Sequence, residues 1–153
     1  MLLLSLSLSA CGGNPPAPSD PAGVSAAETC QAVLDSGAFS ETLEELDSEV
    51  ALDLYGCYGL DTEAVTGCLA YLSTGATAEE CVFLTFDSED AANDALKALE
   101  GRVADQMEAL KNYQPQEIVK LEQPLYGVSP CQEGYWAFLV VANDRSLAEK
   151  VFS

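Results

Sequence analysis

The chain contains no histidine, and only 6 of its 153 residues are lysine or arginine. The lack of histidine excludes Ser-His-Asp and Cys-His catalytic arrangements as well as histidine-ligated zinc sites. Because nucleic acid is bound by clustered basic side chains, the shortage of lysine and arginine argues against such a partner. Neither a P-loop nor a dinucleotide-binding glycine motif occurs in the sequence. We therefore expect no cofactor, no metal ion and no catalytic residue.

Acidic side chains dominate what is present: 25 aspartates and glutamates give a formal net charge of −19. This charge disfavours close contact of the domain with an anionic lipid surface. The acidic segment 44–49 lacks the central glycine of a calcium loop, so we interpret it as a solvated face. With so many carboxylates, a pair acting in sugar hydrolysis remains an alternative, and we rank this hydrolase hypothesis last.

Long apolar runs are scarce, and the run at residues 2–10 is too short to span a bilayer, which takes about 20 residues. Its length is typical of an export signal, and small Ser9 and Ala10 precede Cys11. The pattern predicts a bacterial lipoprotein with a diacylglyceryl group on Cys11. We expect a signal peptide at 1–10, a flexible Pro/Gly/Ser tether at 11–24 and a single α+β domain at 25–153. The protein would then lie on the outer face of the cell membrane.

The first residues depart from the usual export signal, because Met1 is followed directly by leucines and not by lysine or arginine. The alternative interpretation is a buried N-terminal segment with an incidental cysteine. The sequence after Cys11 is Gly-Gly-Asn-Pro-Pro, and no core strand or helix would continue in that way. This continuation favours the lipoprotein.

Five cysteines remain after Cys11, an odd number, and none of them forms a C-x-x-C motif. Apolar residues surround Cys30, Cys68 and Cys81, which predicts three small core residues. A disulfide between Cys57 and Cys131 is left open.

Helical periodicity is clearest at 89–112, where apolar residues recur every three or four positions. A first helix is predicted at 26–36, with Ser25 and Glu28 as a capping box, and a last one at 145–152.

Extended structure is predicted in two hairpins, 68–72 with 81–86 and 118–121 with 135–142. Residues 50–58 also have an extended pattern, and 127–134 has the composition of a loop. Together the elements predict an α+β fold with an antiparallel sheet of about four strands. One long helix and two shorter helices are expected to pack mainly on one face of this sheet.

Several stretches of the chain are similar to a family of lipoproteins from clostridia-type bacteria that is described as domain of unknown function 4358. The resemblance covers residues 26–152. Its stretches are 35–39 (DSGAF), 55–56 (YG), 71–80 (YLSTGATAEE), 104–106 (ADQ) and 112–117 (NYQPQE). It implies an exported, lipid-anchored α+β domain and brings no activity, cofactor or catalytic residue with it.

Two loops are candidate ligand sites, one with Tyr55 and Tyr58 between glycines and one with Ser73 and Thr77 around Gly75. Tyrosines and hydroxyls suit recognition of peptides or sugars, because they combine apolar area with a polar tip. The alternative is that both are plain turns whose tyrosines cover the core. The preferred hypothesis is a binding or interaction module at the cell envelope, with an envelope protein or a small ligand as partner. A structural component of an envelope or sporulation assembly is the alternative.

Overall fold

The computed structural model describes residues 23–153, so the predicted signal peptide, Cys11 and most of the tether lie outside the described residues. In this part of the chain, five helices and a five-stranded antiparallel sheet form an α+β domain. The helices are α1 (Ala26–Asp35), α2 (Ser48–Gly56), α3 (Glu89–Leu110), α4 (Pro115–Leu121) and α5 (Arg145–Glu149). The strands are β1 (Glu44–Glu45), β2 (Val65–Leu72), β3 (Glu80–Phe86), β4 (Leu125–Cys131) and β5 (Gly134–Val141).

The strands lie in the order β1-β2-β3-β5-β4, and every neighbouring pair is antiparallel. The predicted hairpin of β2 and β3 is confirmed, with Leu69 opposite Phe83. The estimate of about four strands is wrong by one, because the two-residue β1 extends the sheet beside β2. The second hairpin joins β4 to β5, so its first strand lies at 125–131 instead of 118–121.

Helices cover both faces of the sheet, which corrects the expectation that they pack mainly on one. Alternate residues of the fully buried β3 point to opposite sides, with Phe83 on one face and Leu84 on the other. The α3 face carries α2, α3 and α4, whereas the α1 face carries α1 and α5. A central strand that is apolar on both sides requires such double cover, as parallel α/β sheets do.

The long helix α3 ends at Leu110, two residues before its predicted end. Its first turn is capped by Ser88, whose hydroxyl accepts a hydrogen bond from the Ala91 amide. Among the helices of residues 23–153, none combines the length and the apolar character that a membrane span requires.

The predicted capping box of α1 is wrong, because the Ser25 side chain makes no hydrogen bond to the helix. The Glu133 carboxylate takes its place: it accepts from the Ala26 amide at 3.2 Å and from the Ser25 hydroxyl at 3.1 Å. Glu133 lies in the turn between β4 and β5, so this cap ties α1 to the sheet. A carboxylate at the positive end of a helix is also favoured by the helix dipole.

Two segments predicted as strands are helices. The apolar residues of 50–58 include Ala51 and Tyr55, which are four positions apart and both buried in α2. Residues 118–121 belong to α4, whose first residue is Pro115. Proline is well suited to the first position of a helix, since it has no amide hydrogen to leave unbonded.

The turn between β4 and β5 depends on Gly134, which has a φ of 125°. A Cβ atom at this position would lie 2.4 Å from the Phe86 carbonyl oxygen. Only glycine avoids both the backbone strain and this collision. The turn therefore packs closely against the end of β3.

All five cysteines of the described residues are free thiols. The disulfide between Cys57 and Cys131 does not form, because Cys57 is exposed near the end of α2 and Cys131 is buried at the end of β4. Cys30 and Cys81 are core residues, as predicted, and Cys68 is half-buried against the α3 face.

Candidate functional site

Tyr55, the first predicted site residue, is fully buried in α2. The expectation that the neighbouring glycines let it face outward is wrong, because the segment is helical and turns Tyr55 towards the sheet. Its hydroxyl donates a hydrogen bond to the Glu80 carboxylate at the start of β3. Tyr55 is thus part of the core on the α3 face.

Tyr58 lies in the turn that follows α2 and is only half-buried. Its hydroxyl donates to the Asp105 carboxylate at 2.8 Å. Burial raises the pKa of this hydroxyl, so Tyr58 remains a neutral donor at physiological pH. The hydrogen bond to Asp105 holds the Tyr58 ring against α3.

Ser73 and Thr77 lie together in the connection between β2 and β3, and their hydroxyls hold this connection in shape. The Ser73 hydroxyl accepts from the amides of Gly75 and Thr77. The Thr77 hydroxyl donates to the Glu41 carboxylate at 2.7 Å and accepts from the Glu79 amide at 3.1 Å. The structure brings these two residues together but not with Tyr58, which packs against α3.

A hydrogen-bonded network, the Glu80 cluster, joins Tyr55, Glu80 and Arg102. The Glu80 side chain is 1% exposed, and the Arg102 Nε lies 3.3 Å from its Oε2. Burial raises the pKa of Glu80 above its usual range, although Arg102 and Tyr55 act in the opposite direction. Because the carboxylate is enclosed and fully partnered, its role is to fasten α2 and α3 to β3.

A second network, the Glu79 cluster, consists of Ser40, Glu79, Glu117 and Lys120. The Lys120 Nζ lies 2.8 Å from Glu79 Oε1 and 3.0 Å from Glu117 Oε2. Ser40 donates to Glu79 from both its amide and its hydroxyl. Burial lowers the pKa of Lys120, but its bonds to the two carboxylates outweigh this and leave the pKa raised.

Sequence reasoning missed both clusters. Lys120 lies in the segment predicted as a strand, and its side chain is only 12% exposed. The one available signal was the spacing of Glu117 and Lys120, which are three positions apart and thus neighbours on a helix. That signal requires α4 to be recognised as a helix first.

One concavity at the protein surface contains a predicted site residue. The Tyr58 cleft lies between residues 58–64 and the first half of α3 and has a volume of about 470 Å³. Its apolar floor is formed by Leu60, Ala64, Phe86, Ala91, Ala95 and Ala98. Its polar groups are Tyr58, Asp61, Asp94 and Lys97. This combination of an apolar floor and a few polar groups is typical of small-molecule sites.

Charge in the Tyr58 cleft is contributed by exposed groups. Lys97 lies 2.6 Å from Asp94, and both side chains are about three-quarters exposed. One oxygen of the Asp61 carboxylate accepts a hydrogen bond from the Glu63 amide at 3.2 Å. No group of three or more acidic or cysteine side chains within residues 23–153 is placed to hold a metal ion.

The fold defines the chain as an α+β domain with an antiparallel sheet between two helical layers. The family model "Domain of unknown function (DUF4358)" matches residues 39–128, more than half of the chain, and the chain belongs to this family. The matched region contains the Tyr58 cleft and both clusters. No curated protein and no solved structure matches the chain.

Proposed function

We propose that this protein is a binding module held at the outer face of the cell membrane by a diacylglyceryl group on Cys11, and that the Tyr58 cleft is its ligand site. The observation that supports the binding function is the cleft itself. It has a volume of about 470 Å³, an apolar floor, and Tyr58 and two carboxylates in its lining. Of the four predicted site residues, Tyr58 is the one that lines it. The Ser73 hydroxyl bonds within its own turn, and the Thr77 hydroxyl is taken up by Glu41 and the Glu79 amide.

A small ligand with an apolar body and a positive charge fits this cleft best. The alanines of α3 leave room for an apolar group, while Asp61 lies at the polar side beside the Asp94–Lys97 ion pair. The Tyr58 ring adds attraction for a cation, worth about 0.5–1 kcal/mol at an exposed site. The net charge of −19 also draws cations towards the protein and repels anions.

We predict that phenethylamine binds in the cleft with a dissociation constant on the order of 1 mM, as expected for so small a molecule. The neutral analogue phenethyl alcohol should bind several-fold more weakly, because it lacks the charge. Titration of isotope-labelled protein, followed through its backbone amide resonances, measures both affinities and locates the site. The shifts should be concentrated at residues 58–64 and 91–98.

Two variants test the location of this binding. Ala91→Leu adds bulk at a half-buried position of the cleft lining and should abolish binding, whereas Asp61→Asn should weaken binding of the amine selectively. Asp90→Asn removes the same charge from an exposed position outside the cleft lining and serves as the control. Equal affinity for amine and alcohol, or shifts spread over other surfaces, would contradict the proposed site.

The anchor is supported by residues 9–16, where small residues precede Cys11 and a glycine- and proline-rich segment follows it. Two acyl chains are sufficient for stable attachment, since each buried methylene contributes about 0.8 kcal/mol. We predict that Cys11→Ala moves the protein from the membrane fraction to the soluble fraction after a carbonate wash. Cys57→Ala, which alters an exposed thiol of the domain, should leave retention unchanged. Retention of the Cys11→Ala protein would refute the anchor.

The alternative is a structural component of an envelope or sporulation assembly, and a different surface of the domain would make its contacts. Three large apolar side chains are exposed on or near α4: Tyr113 by 85%, Val119 by 60% and Tyr126 by 43%. Contact with another protein would cover them. We rank this alternative second, because the concavity that Tyr126 lines has a volume of about 330 Å³, smaller than the Tyr58 cleft.

A further inference from the structure

Two cysteines meet in the core between α1 and the central strand. The Cys30 Sγ lies 3.9 Å from the Cys81 Sγ, which is close to van der Waals contact. Both residues are buried, with exposures of 2% for Cys30 and 0% for Cys81. They are 51 positions apart in the chain, so their contact is produced by the fold.

We propose that Cys30 and Cys81 form a dithiol–disulfide site, which a disulfide-bearing oxidant converts to a covalent link between α1 and β3. A disulfide needs a sulfur–sulfur distance of about 2.05 Å. The two sulfurs are 3.9 Å apart, so a gap of about 1.9 Å separates them from bonding distance. This pairing does not depend on the Tyr58 cleft.

The reaction is a double thiol–disulfide exchange. The thiolate of one cysteine attacks the oxidant disulfide, forms a mixed disulfide and releases one thiol of the oxidant. The second cysteine, as thiolate, then attacks the protein sulfur of the mixed disulfide and releases the other thiol. Overall, the two cysteines lose two protons and two electrons, and the oxidant is reduced to two thiols.

The remaining thiols of the described residues are placed so that they do not compete. Cys68 packs against the α3 face, on the opposite side of the sheet from Cys30. Cys57 is exposed, and its thiol donates to the Asp53 carbonyl within α2. Cys131 belongs to the same core cluster as Cys30 and Cys81, but it lies six residues along β4 from Leu125, which is level with Cys81 in the sheet. The fold therefore selects one partner for Cys81.

Burial affects the rate of this reaction more than its outcome. The hydrogen bond with Cys30 and the buried environment raise the pKa of the Cys81 thiol, so little thiolate forms while the domain is closed. Oxidation should therefore be slow in the folded protein and fast during refolding, before α1 covers the strand.

The experiment refolds the reduced full-length chain in a buffer of oxidised and reduced glutathione, and compares it with the same treatment of the folded protein. Remaining thiols are alkylated with N-ethylmaleimide, and the chain is digested without reduction. Mass spectrometry should find one dominant cross-linked peptide pair, joined through Cys30 and Cys81 and lighter by two hydrogen atoms. Cys57 and Cys68 should be alkylated.

Cys68→Ala is the matched control and should leave the cross-link unchanged. In Cys30→Ala no other pairing should replace it, because the other thiols lie elsewhere. Alkylation of both Cys30 and Cys81 after refolding, or cross-links spread evenly over several cysteines, would overturn the proposal. Since the main measurement uses the unaltered chain, a variant that fails to fold does not decide it.

Discussion

Replacing Arg102 with methionine is expected to destabilise the domain by about 3–5 kcal/mol at neutral pH, the usual cost of removing one partner of a buried ion pair. The Glu80 side chain is 1% exposed, and Arg102 is the cation that pairs with it. Methionine keeps most of the apolar stem of the arginine but leaves the carboxylate without a counter-charge. The cost therefore reflects an uncompensated charge more than lost packing.

The effect should depend on pH in a specific direction. The pKa of Glu80 in the folded protein is already raised by burial above its ordinary value of 4.5, and it should rise further without Arg102. Because folding raises this pKa, protonated Glu80 makes its full contribution to stability below pH 4.5. That contribution is lost as the pH rises through the pKa of Glu80 in the folded protein. Variant and parent should thus converge near pH 4.5 and diverge at higher pH.

Urea unfolding followed through the fluorescence of Trp136, the single tryptophan, measures this difference at several pH values. Lys97→Met is the matched control, because Lys97 pairs with Asp94 on an exposed part of the same helix. It should leave the stability nearly unchanged, since the pair is solvent-exposed. A loss for Arg102→Met that is small, or that stays constant with pH, would mean that Glu80 is not ionised in the native state.

The second large effect is expected for Leu99→Ala, which should lower the free energy of unfolding by about 2–5 kcal/mol. Leu99 is fully buried on the α3 face and packs against the sheet from the middle of the longest helix. Truncation removes apolar contacts and leaves a cavity. The same denaturant titration measures the change.

Val119→Ala provides the comparison for this prediction, since Val119 is 60% exposed on α4. Its truncation should change stability by no more than about 0.5 kcal/mol. If the two variants were equally stable, α3 would not pack on the sheet as described.

Local patterns were sufficient for some elements. The helix at Glu89–Leu110 repeats its apolar positions over six turns, and a cap precedes it, so no tertiary information is needed to recognise it. The β2–β3 hairpin is likewise marked by two apolar segments around a polar turn. The family was also recognised from its sequence stretches.

Other elements depend on tertiary context. Helix α2 carries apolar residues on more than one side, because it packs against both β2 and α3, and its sequence therefore resembles a strand. Strand β4 contains Gly127 and Pro130, which are typical of loops. At the edge of a sheet, however, proline is tolerated where its missing donor is not needed. The local sequences of α2 and β4 therefore do not show which elements pack beside them.

The candidate site was only partly predictable for a related reason. Tyr58 lines a surface concavity and Tyr55 is buried, but the glycine-containing segment that holds both does not distinguish them. The partners that fix these tyrosines, Glu80 and Asp105, lie 25 and 47 positions away in the chain. No periodicity or spacing rule spans such separations.

Under the proposed anchor at Cys11, the point where the chain enters the domain has a mechanical consequence. The carbonyl of Val24 accepts a hydrogen bond from the Gln132 amide at 2.8 Å, and Glu133 holds the first turn of α1. Tension transmitted from a membrane would therefore act on α1 and the tip of the β4–β5 hairpin before it reached β3. The domain would yield by peeling its first helix, while the sheet and the Tyr58 cleft on the opposite side stayed intact.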